Sequence, residues 1–152
     1  MLRIVKGDLL LAREAAICHQ VNCKNMMGAG VAKALYTKWP EVKREYHAFC
    51  DGKRPRDLLG EIQIVELAEF PAGNKVVINI FGQLNCGHDG ICYTRYDALA
   101  QAFDELNKVC AFKTVAFPFG FGCGLAGGDW ATIEKLMLEH LYNTEVAVYW
   151  KP

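Results

Sequence analysis

The sequence has no excess of either charge and no long apolar run. Its 152 residues include 17 basic and 17 acidic residues, so the formal net charge is zero. Strong non-specific nucleic-acid binding depends on a basic field, so we do not expect it here, although a local basic patch is compatible with a neutral chain. No run reaches bilayer length, and the first residues, MLRIVKGDLL, lack a signal-peptide pattern. We expect a cytoplasmic protein without membrane partners.

The cysteines lack the spacing of a disulfide or zinc framework. There are seven, an odd number, and no pair has Cys-x-x-Cys spacing, which favours reduced thiols. Cys86, His88 and Cys92 are the best candidates for a metal site, but their spacing matches no common zinc pattern. We predict no metal and no cofactor. The remaining thiols in or beside apolar stretches are typical of small core residues: Cys18, Cys23, Cys110 and Cys123.

Predicted strands and helices alternate along a chain that is 52% hydrophobic, enough to bury one core. The periodicity of the apolar residues and the positions of turn residues predict strands at 2–6, 15–21, 61–67, 76–81, 114–119 and 145–150. They predict helices at 31–38, 41–50, 94–110 and 129–141. The polar stretch 51–59 is predicted to be a surface loop. This alternation indicates a single α/β domain over residues 1–152, with much parallel pairing and helices on both faces of the sheet.

Two glycine-rich loops each follow a predicted strand and precede a predicted helix. They are residues 27–30 (MGAG) and residues 120–128 (GFGCGLAGG). Ligands of such sheets bind beyond the carboxyl ends of the strands. Glycine lets backbone amides approach an anion, and a helix amino terminus adds partial positive charge. One Gly-x-Gly alone indicates a tight turn, but two in matching positions favour a diphosphate. Neither loop is a Walker sequence, and the first does not meet the dinucleotide fingerprint.

These loops and their neighbours resemble the macro domain family. The resemblance rests on residues 7–9 (GDL), residues 21–32 (VNCKNMMGAGVA) and residues 122–125 (GCGL) leading to Trp130, and it spans nearly the whole chain. It implies a three-layer α/β/α domain with a mixed central sheet that binds ADP-ribose or a phosphorylated or conjugated derivative. Residues 19–23 (HQVNC) and the GCGL loop are most similar to two branches, the ADP-ribose 1''-phosphate phosphatases and the hydrolases that remove ADP-ribose from glutamate or DNA.

The resemblance implies roles for individual residues. Asp8 would accept a hydrogen bond from the adenine amino group beside the Leu9 amide, Asn25 would lie near the distal ribose, and Trp150 or Tyr149 would flank the adenine. Each also has an ordinary alternative, as a turn residue or a core side chain. The two glycine loops would hold the phosphates. The full implied ligand-binding set is Asp8, Leu9, Asn22, Asn25, Gly28, Ala29, Gly30, Val31, Gly122, Cys123, Gly124, Leu125, Ala126 and Trp150.

The resemblance also bears on catalysis. One hydrolase branch uses a lysine and an aspartate, where this chain has Gly82 or Gln83 and Ala126, so that amine-nucleophile route is not expected. His19 is expected at the end of a buried strand, just before the first glycine-rich loop, with a free pKa close to neutrality. In the phosphatase branch it would position water or protonate a leaving oxygen, and Asp129 would orient water. The alternatives are a core histidine and a helix cap.

The resemblance therefore implies metal-free hydrolysis of the terminal phosphate of ADP-ribose 1''-phosphate, with water as nucleophile. Asn22 and His88 rank behind His19 and Asp129 as catalytic candidates. A non-catalytic ADP-ribose reader, and a hydrolase acting on ADP-ribosylated protein or nucleic acid, are the alternatives.

Overall fold

The structure, a computed structural model, describes residues 1–71, 73–109 and 113–152. The strands within these ranges are β1 (Leu2–Lys6), β2 (Ala16–Asn22), β3 (Ile62–Glu66), β4 (Val76–Gln83), β5 (Thr114–Pro118) and β6 (Glu145–Trp150). The helices are α1 (Gly30–Lys38), α2 (Glu41–Cys50), α3 (Pro55–Leu58), α4 (Tyr96–Lys108) and α5 (Trp130–His140). A short 3-10 turn, Leu9–Leu11, follows β1.

The strands form one mixed sheet in the order β1-β6-β5-β2-β4-β3. All neighbouring pairs are parallel except β3 with β4, which is antiparallel. Five carboxyl ends therefore meet at the same edge of the sheet. The loops after β2 and β5, which contain the two glycine-rich segments, leave from that edge.

Helices cover both faces of the sheet, which confirms the predicted three-layer α/β/α architecture. On one face Phe103 of α4 and Met137 of α5 pack on Phe117 of β5. On the other face Leu35 of α1 and Tyr46 of α2 pack in the cluster that contains residues of β2 and β4. A strand covered on both sides is apolar along its whole length, which explains the nearly continuous apolar run in β4.

The structure corrects several predicted boundaries. Residues 51–59 are not a continuous loop, because α3 forms there with Pro55 in its first turn and Leu58 buried. Strand β4 extends to Gln83, beyond its apolar run, since it stays paired with β2. The predicted helix 94–110 ends at Lys108, and Cys110 lies outside the described residues.

Two further observations concern the described residues alone. The six cysteines among them are free thiols. No helix within the described ranges is both long enough and apolar enough to cross a bilayer.

Candidate functional site

Both glycine-rich loops line one cleft at the carboxyl edge of the sheet. The cleft consists of a first cavity of about 520 Å³ and a second cavity of about 350 Å³. The walls common to both cavities are Gln20, Ala29, Ala32, Gln83, Leu125 and Ala126. Loop 27–30 and loop 120–128 therefore face the same space, as a single ligand bound by both would require.

Asn22, at the end of β2, shapes the first glycine-rich loop. Its Oδ1 accepts from the amide of Lys24 at 2.9 Å, and its Nδ2 donates to the carbonyl of Met26 at 2.7 Å. The Tyr46 hydroxyl donates to the Asn22 carbonyl at 2.8 Å from beneath. An asparagine that bonds to the backbone just after itself is a common turn-forming device. Asn22 thus lines the first cavity mainly as the residue that bends the chain around it.

Helix α1 begins directly at the cleft. Its cap residue, Ala29, has no side chain to accept from the first amides, and Gly30 adopts a left-handed φ of 61° at the start of the helix. The first N–H groups of a helix have no partners within the helix. Uncapped amides and the positive end of the helix dipole therefore lie where Ala29 and Gly30 line the second cavity.

The second glycine-rich loop is held by the segment that follows β4. The amides of Tyr93 and Thr94 both donate to the Ala126 carbonyl, at 2.6 and 3.1 Å. The Thr94 hydroxyl donates to the Gly122 carbonyl at 2.6 Å and accepts from Gln20 Nε2 at 3.0 Å. The loop is therefore fixed before any ligand arrives, which lowers the entropic cost of binding.

The glycines of the two loops differ in what requires them. Gly122 has a left-handed φ of 74°, and a Cβ there would lie 3.1 Å from Gln20 Oε1, so the fold itself requires glycine. Gly28 and Gly124 have no left-handed φ, and a Cβ at either position would meet no atom within 4 Å. The fold does not require glycine at these two positions. The space beside the backbone is open at both positions.

His19 ends a row of buried polar side chains that crosses three strands. Its Nε2 lies 2.5 Å from Asn79 Oδ1, and Asn79 Nδ2 donates to Gln63 Oε1 at 3.0 Å. Gln63 Nε2 donates in turn to the Glu45 carbonyl at 2.8 Å. This order of donors makes Asn79 Oδ1 an acceptor, so Nε2 carries the hydrogen. Nδ1 is then an acceptor, and it is buried without a partner in the described part of the chain.

The position and charge of His19 correct two expectations. It lies in the middle of β2, not at its end, and is 1% exposed. Burial lowers its pKa from 6.5 to about 4, against the smaller opposing effect of the Asn79 bond. The imidazole is therefore neutral at pH 7, which suits it poorly to protonating a leaving oxygen, and its catalytic role stays a prediction. It lines the second cavity, and orienting water or a ligand hydroxyl remains open to it.

Comparison with known proteins agrees with this geometry. Residues 18–137 match the family model of the macro domain. The chain belongs to the macro domain family. A DNA ADP-ribosyl glycohydrolase of Mycobacterium tuberculosis is 28% identical over 157 residues, which is 98% of this chain but 42% of that protein. The chain thus spans less than half the length of this relative.

In two further comparisons the match extends over nearly all of this chain and nearly all of the other protein. An ADP-ribose 1''-phosphate phosphatase of Scheffersomyces stipitis is 27% identical over 174 residues, covering 98% of this chain and 99% of that protein. The solved macrodomain of Thermus aquaticus DarG has a TM-score of 0.78 at 25% identity, covering 99% of this chain and 98% of that chain.

Several residues predicted to bind ligand lie outside the walls of the two cavities in this macro domain. Asp8 caps the 3-10 turn by accepting from the Leu10 amide at 2.9 Å, a bond that lowers the pKa of its carboxyl group. Asn25 has a left-handed φ of 61°, and its Oδ1 lies 2.5 Å from His47 Nδ1. Trp150, half-exposed at the end of β6, stays near Asp8 at the same sheet edge, because Gly7 bonds to its carbonyl. Their ligand roles stay predictions.

Of the remaining predicted residues, some line the two cavities and others lie outside their walls. Cys123 is half-buried, its Sγ lies 3.4 Å from the Phe121 carbonyl oxygen, and it is not a wall residue. Asp129 caps α5, where its Oδ2 accepts from the Thr132 amide at 3.0 Å, and bonding to Thr132 lowers its pKa. It too is outside the cavity walls, so the structure does not bring it together with His19. The predicted residues that line the cleft are Asn22, Gly28, Ala29, Gly30, Val31, Gly122, Gly124, Leu125 and Ala126.

The sequence did not single out several wall residues of this macro domain. Gln20 and Gln83 line both cavities, and Gln20 Nε2 donates to Gln83 Oε1 at 2.8 Å. Phe119 is 52% exposed on the wall of the second cavity and lies against Trp130, with ring centroids 4.9 Å apart. An exposed phenylalanine at the start of a glycine-rich loop is a signal that can be recognised in a sequence. The pairing of two glutamines from separate strands is not.

Proposed function

We propose that the cleft binds ADP-ribose, with its diphosphate held between the two glycine-rich loops. The observation that carries this proposal is the empty space beside Gly28 and Gly124, two glycines that the fold does not require, on opposite loops of one cleft. The uncapped amides of α1 add donors for phosphate oxygens. The first cavity then receives the distal ribose, and the second cavity, with Phe119 on its wall, receives the adenosine side.

We further propose that the protein hydrolyses the terminal phosphate of ADP-ribose 1''-phosphate. Water attacks phosphorus, the bond to the ribose O1'' breaks, and the leaving oxygen takes a proton, so that ADP-ribose and phosphate are released. Loop amides stabilise the charge that develops on the phosphate. The similarity to the Scheffersomyces stipitis phosphatase, which extends over 99% of that protein, supports this reaction.

The walls of the first cavity favour water as the nucleophile. Among the residues that the structure describes, these walls include no lysine and no carboxylate, so they offer no side-chain amine for covalent catalysis. His88 is the imidazole among these walls, and it replaces His19 as the group that transfers the proton. His19, neutral and held by Asn79, would act by orienting water.

The proposal is tested with purified protein, first by calorimetric titration with ADP-ribose and then by phosphate release from ADP-ribose 1''-phosphate. We expect His88→Ala to lose turnover while it retains ADP-ribose binding, and His19→Ala to lose turnover as well. Asp129→Ala should lower stability through the lost helix cap and keep turnover, because its carboxylate lies outside the cleft walls. Absence of phosphate release from protein that binds ADP-ribose would remove the phosphatase and leave a reader.

A second candidate is removal of ADP-ribose from a conjugate. The similarity to the Mycobacterium tuberculosis DNA ADP-ribosyl glycohydrolase supports it, whereas the missing lysine limits it to a route that uses water. Incubation with ADP-ribosylated DNA and with ADP-ribosylated protein, followed by mass spectrometry of released ADP-ribose, distinguishes it from the phosphatase. A cytoplasmic location remains part of the proposal and is tested by fractionation of the source cells.

A further inference from the structure

A groove with a basic lining lies outside the cleft, beside the first cavity. We call it the basic groove. Its volume is about 360 Å³, and its lining residues are Lys24, Arg54, Pro55, Arg56 and Leu84. Three of these five side chains are cationic and none is acidic. Because the whole chain is neutral, this is a local concentration of positive charge and not part of a general basic surface.

The groove and the first cavity are neighbours separated by backbone. Lys24 follows the loop-forming Asn22 and donates its amide to Asn22 Oδ1, while Leu84 follows Gln83. Between them the Cys23 amide donates to the carbonyls of Gln83 and Leu84, at 3.1 and 3.3 Å. A compact phosphate on the distal ribose would stay in the first cavity. A group attached to the distal ribose would reach the groove only by extending past the backbone where Cys23 bonds to Gln83 and Leu84.

Two of the three cations are available to a ligand. Arg54 is engaged by Asp57, with its Nε and Nη2 at 2.9 and 3.2 Å from the two carboxylate oxygens. Lys24 and Arg56 are exposed, and their side chains form no ion pair with any described residue. Pro55 and Leu84 add apolar surface in the same groove. Cations combined with apolar surface suit a sugar–phosphate backbone, whose charges alternate with apolar faces.

We propose that the basic groove binds the phosphodiester backbone of a nucleic-acid strand that carries ADP-ribose on one of its nucleotides. The proposal rests on binding of ADP-ribose in the cleft, and it adds a second surface, the basic groove, that contacts the molecule attached to the distal ribose. Two free cations give only a weak site by themselves. Binding therefore depends on ADP-ribose in the cleft bringing the strand to the groove, which raises its effective concentration there.

The test compares four probes on the full chain by fluorescence anisotropy or calorimetry. They are free ADP-ribose, a short single-stranded DNA carrying ADP-ribose, the same DNA unmodified, and an acidic peptide carrying ADP-ribose on glutamate. We expect the DNA conjugate to bind about tenfold more tightly than free ADP-ribose at about 50 mM salt, and most of this gain to vanish at about 200 mM. Arg56→Gln should remove most of the gain and reduce the salt slope by about 0.7.

The matched control is Arg44→Gln, which changes an exposed arginine of α2 that does not line the groove; it should keep the full gain. Equal affinity for the DNA conjugate and free ADP-ribose would overturn the groove proposal and leave the cleft proposal standing. The groove proposal would also be overturned if the acidic peptide conjugate gained as much affinity over free ADP-ribose as the DNA conjugate does. An unchanged affinity gain for the DNA conjugate in Arg56→Gln would overturn it as well. Failure of free ADP-ribose to bind would overturn both the cleft proposal and the groove proposal. Because free ADP-ribose is a separate probe, this result can be distinguished from failure of the groove proposal alone.

Discussion

Substitutions at Gly124 and Gly122 should separate ligand contact from folding within one loop. A Cβ added at Gly124 would meet no atom within 4 Å, and the backbone there is not left-handed, so we expect Gly124→Val to change the free energy of unfolding by less than about 0.5 kcal/mol. The same side chain fills the space proposed for a phosphate. Loss of one charge-assisted hydrogen bond costs about 1.5–3 kcal/mol, so ADP-ribose should bind roughly 10- to 100-fold more weakly.

Gly122→Ala should give the opposite pattern. Its φ of 74° places an alanine in the left-handed region, which costs roughly 1–2 kcal/mol, and the new Cβ would lie 3.1 Å from Gln20 Oε1 and Ile133 Cδ1. We expect the free energy of unfolding to fall by roughly 1–3 kcal/mol. Urea unfolding and calorimetric titration of both variants provide the two measurements. Wild-type affinity in Gly124→Val would show that the ligand does not approach this loop, and would refute the reasoning from the empty space.

Three further predictions concern the groups that support the cleft. Thr94→Val removes the donor to Gly122 and should reduce both stability, by roughly 1–3 kcal/mol, and ADP-ribose affinity in calorimetry; Thr94→Ser, which keeps the hydroxyl, should retain both. Asn22→Ala removes the bonds that bend the first loop and should weaken binding more than it lowers the thermal midpoint; unchanged affinity would contradict this. The depressed pKa of His19, about 4 against 6.5 in the unfolded chain, means that the unfolded state takes up the proton first. Its contribution to stability is complete above about pH 6.5 and falls as the pH drops toward 4, by up to roughly 3 kcal/mol. In urea unfolding across this range His19→Gln should lose most of that slope, and an unchanged slope would exclude His19 as its source.

Local chemistry made most of the fold predictable. The periodicity of apolar residues along the chain indicated the strands and helices. Helix α2, for example, begins at Glu41 and ends at Cys50, as that pattern predicted. Helix α3 was missed because polar and turn residues dominate its segment, while its formation depends on burying Leu58 against the rest of the molecule. Such burial is a tertiary effect that a short polar window does not reveal.

The candidate site was predictable to the extent that it consists of backbone. Glycine loops following buried strands indicated an anion site, and both loops line one cleft. The roles of side chains were less accessible. His19 was expected to lie at the end of a strand and to have a pKa close to neutrality. It is instead buried in the middle of β2, and burial lowers its pKa. Asp129 was predicted either to orient water or to cap its helix; it caps α5, and its catalytic role stays a prediction.

By itself the sequence determined the order of the elements, the largely parallel strand pairing and the two glycine loops, because these depend on periodicity and on backbone freedom that each short segment carries within itself. Only the tertiary structure decided which glycines face empty space, that Asn79 holds His19 in one tautomer, and that Lys24 and Arg56 share a groove. These features join residues from separate strands and loops. Desolvation and hydrogen-bond partners are set by such neighbours, and the chain brings them together only when it folds.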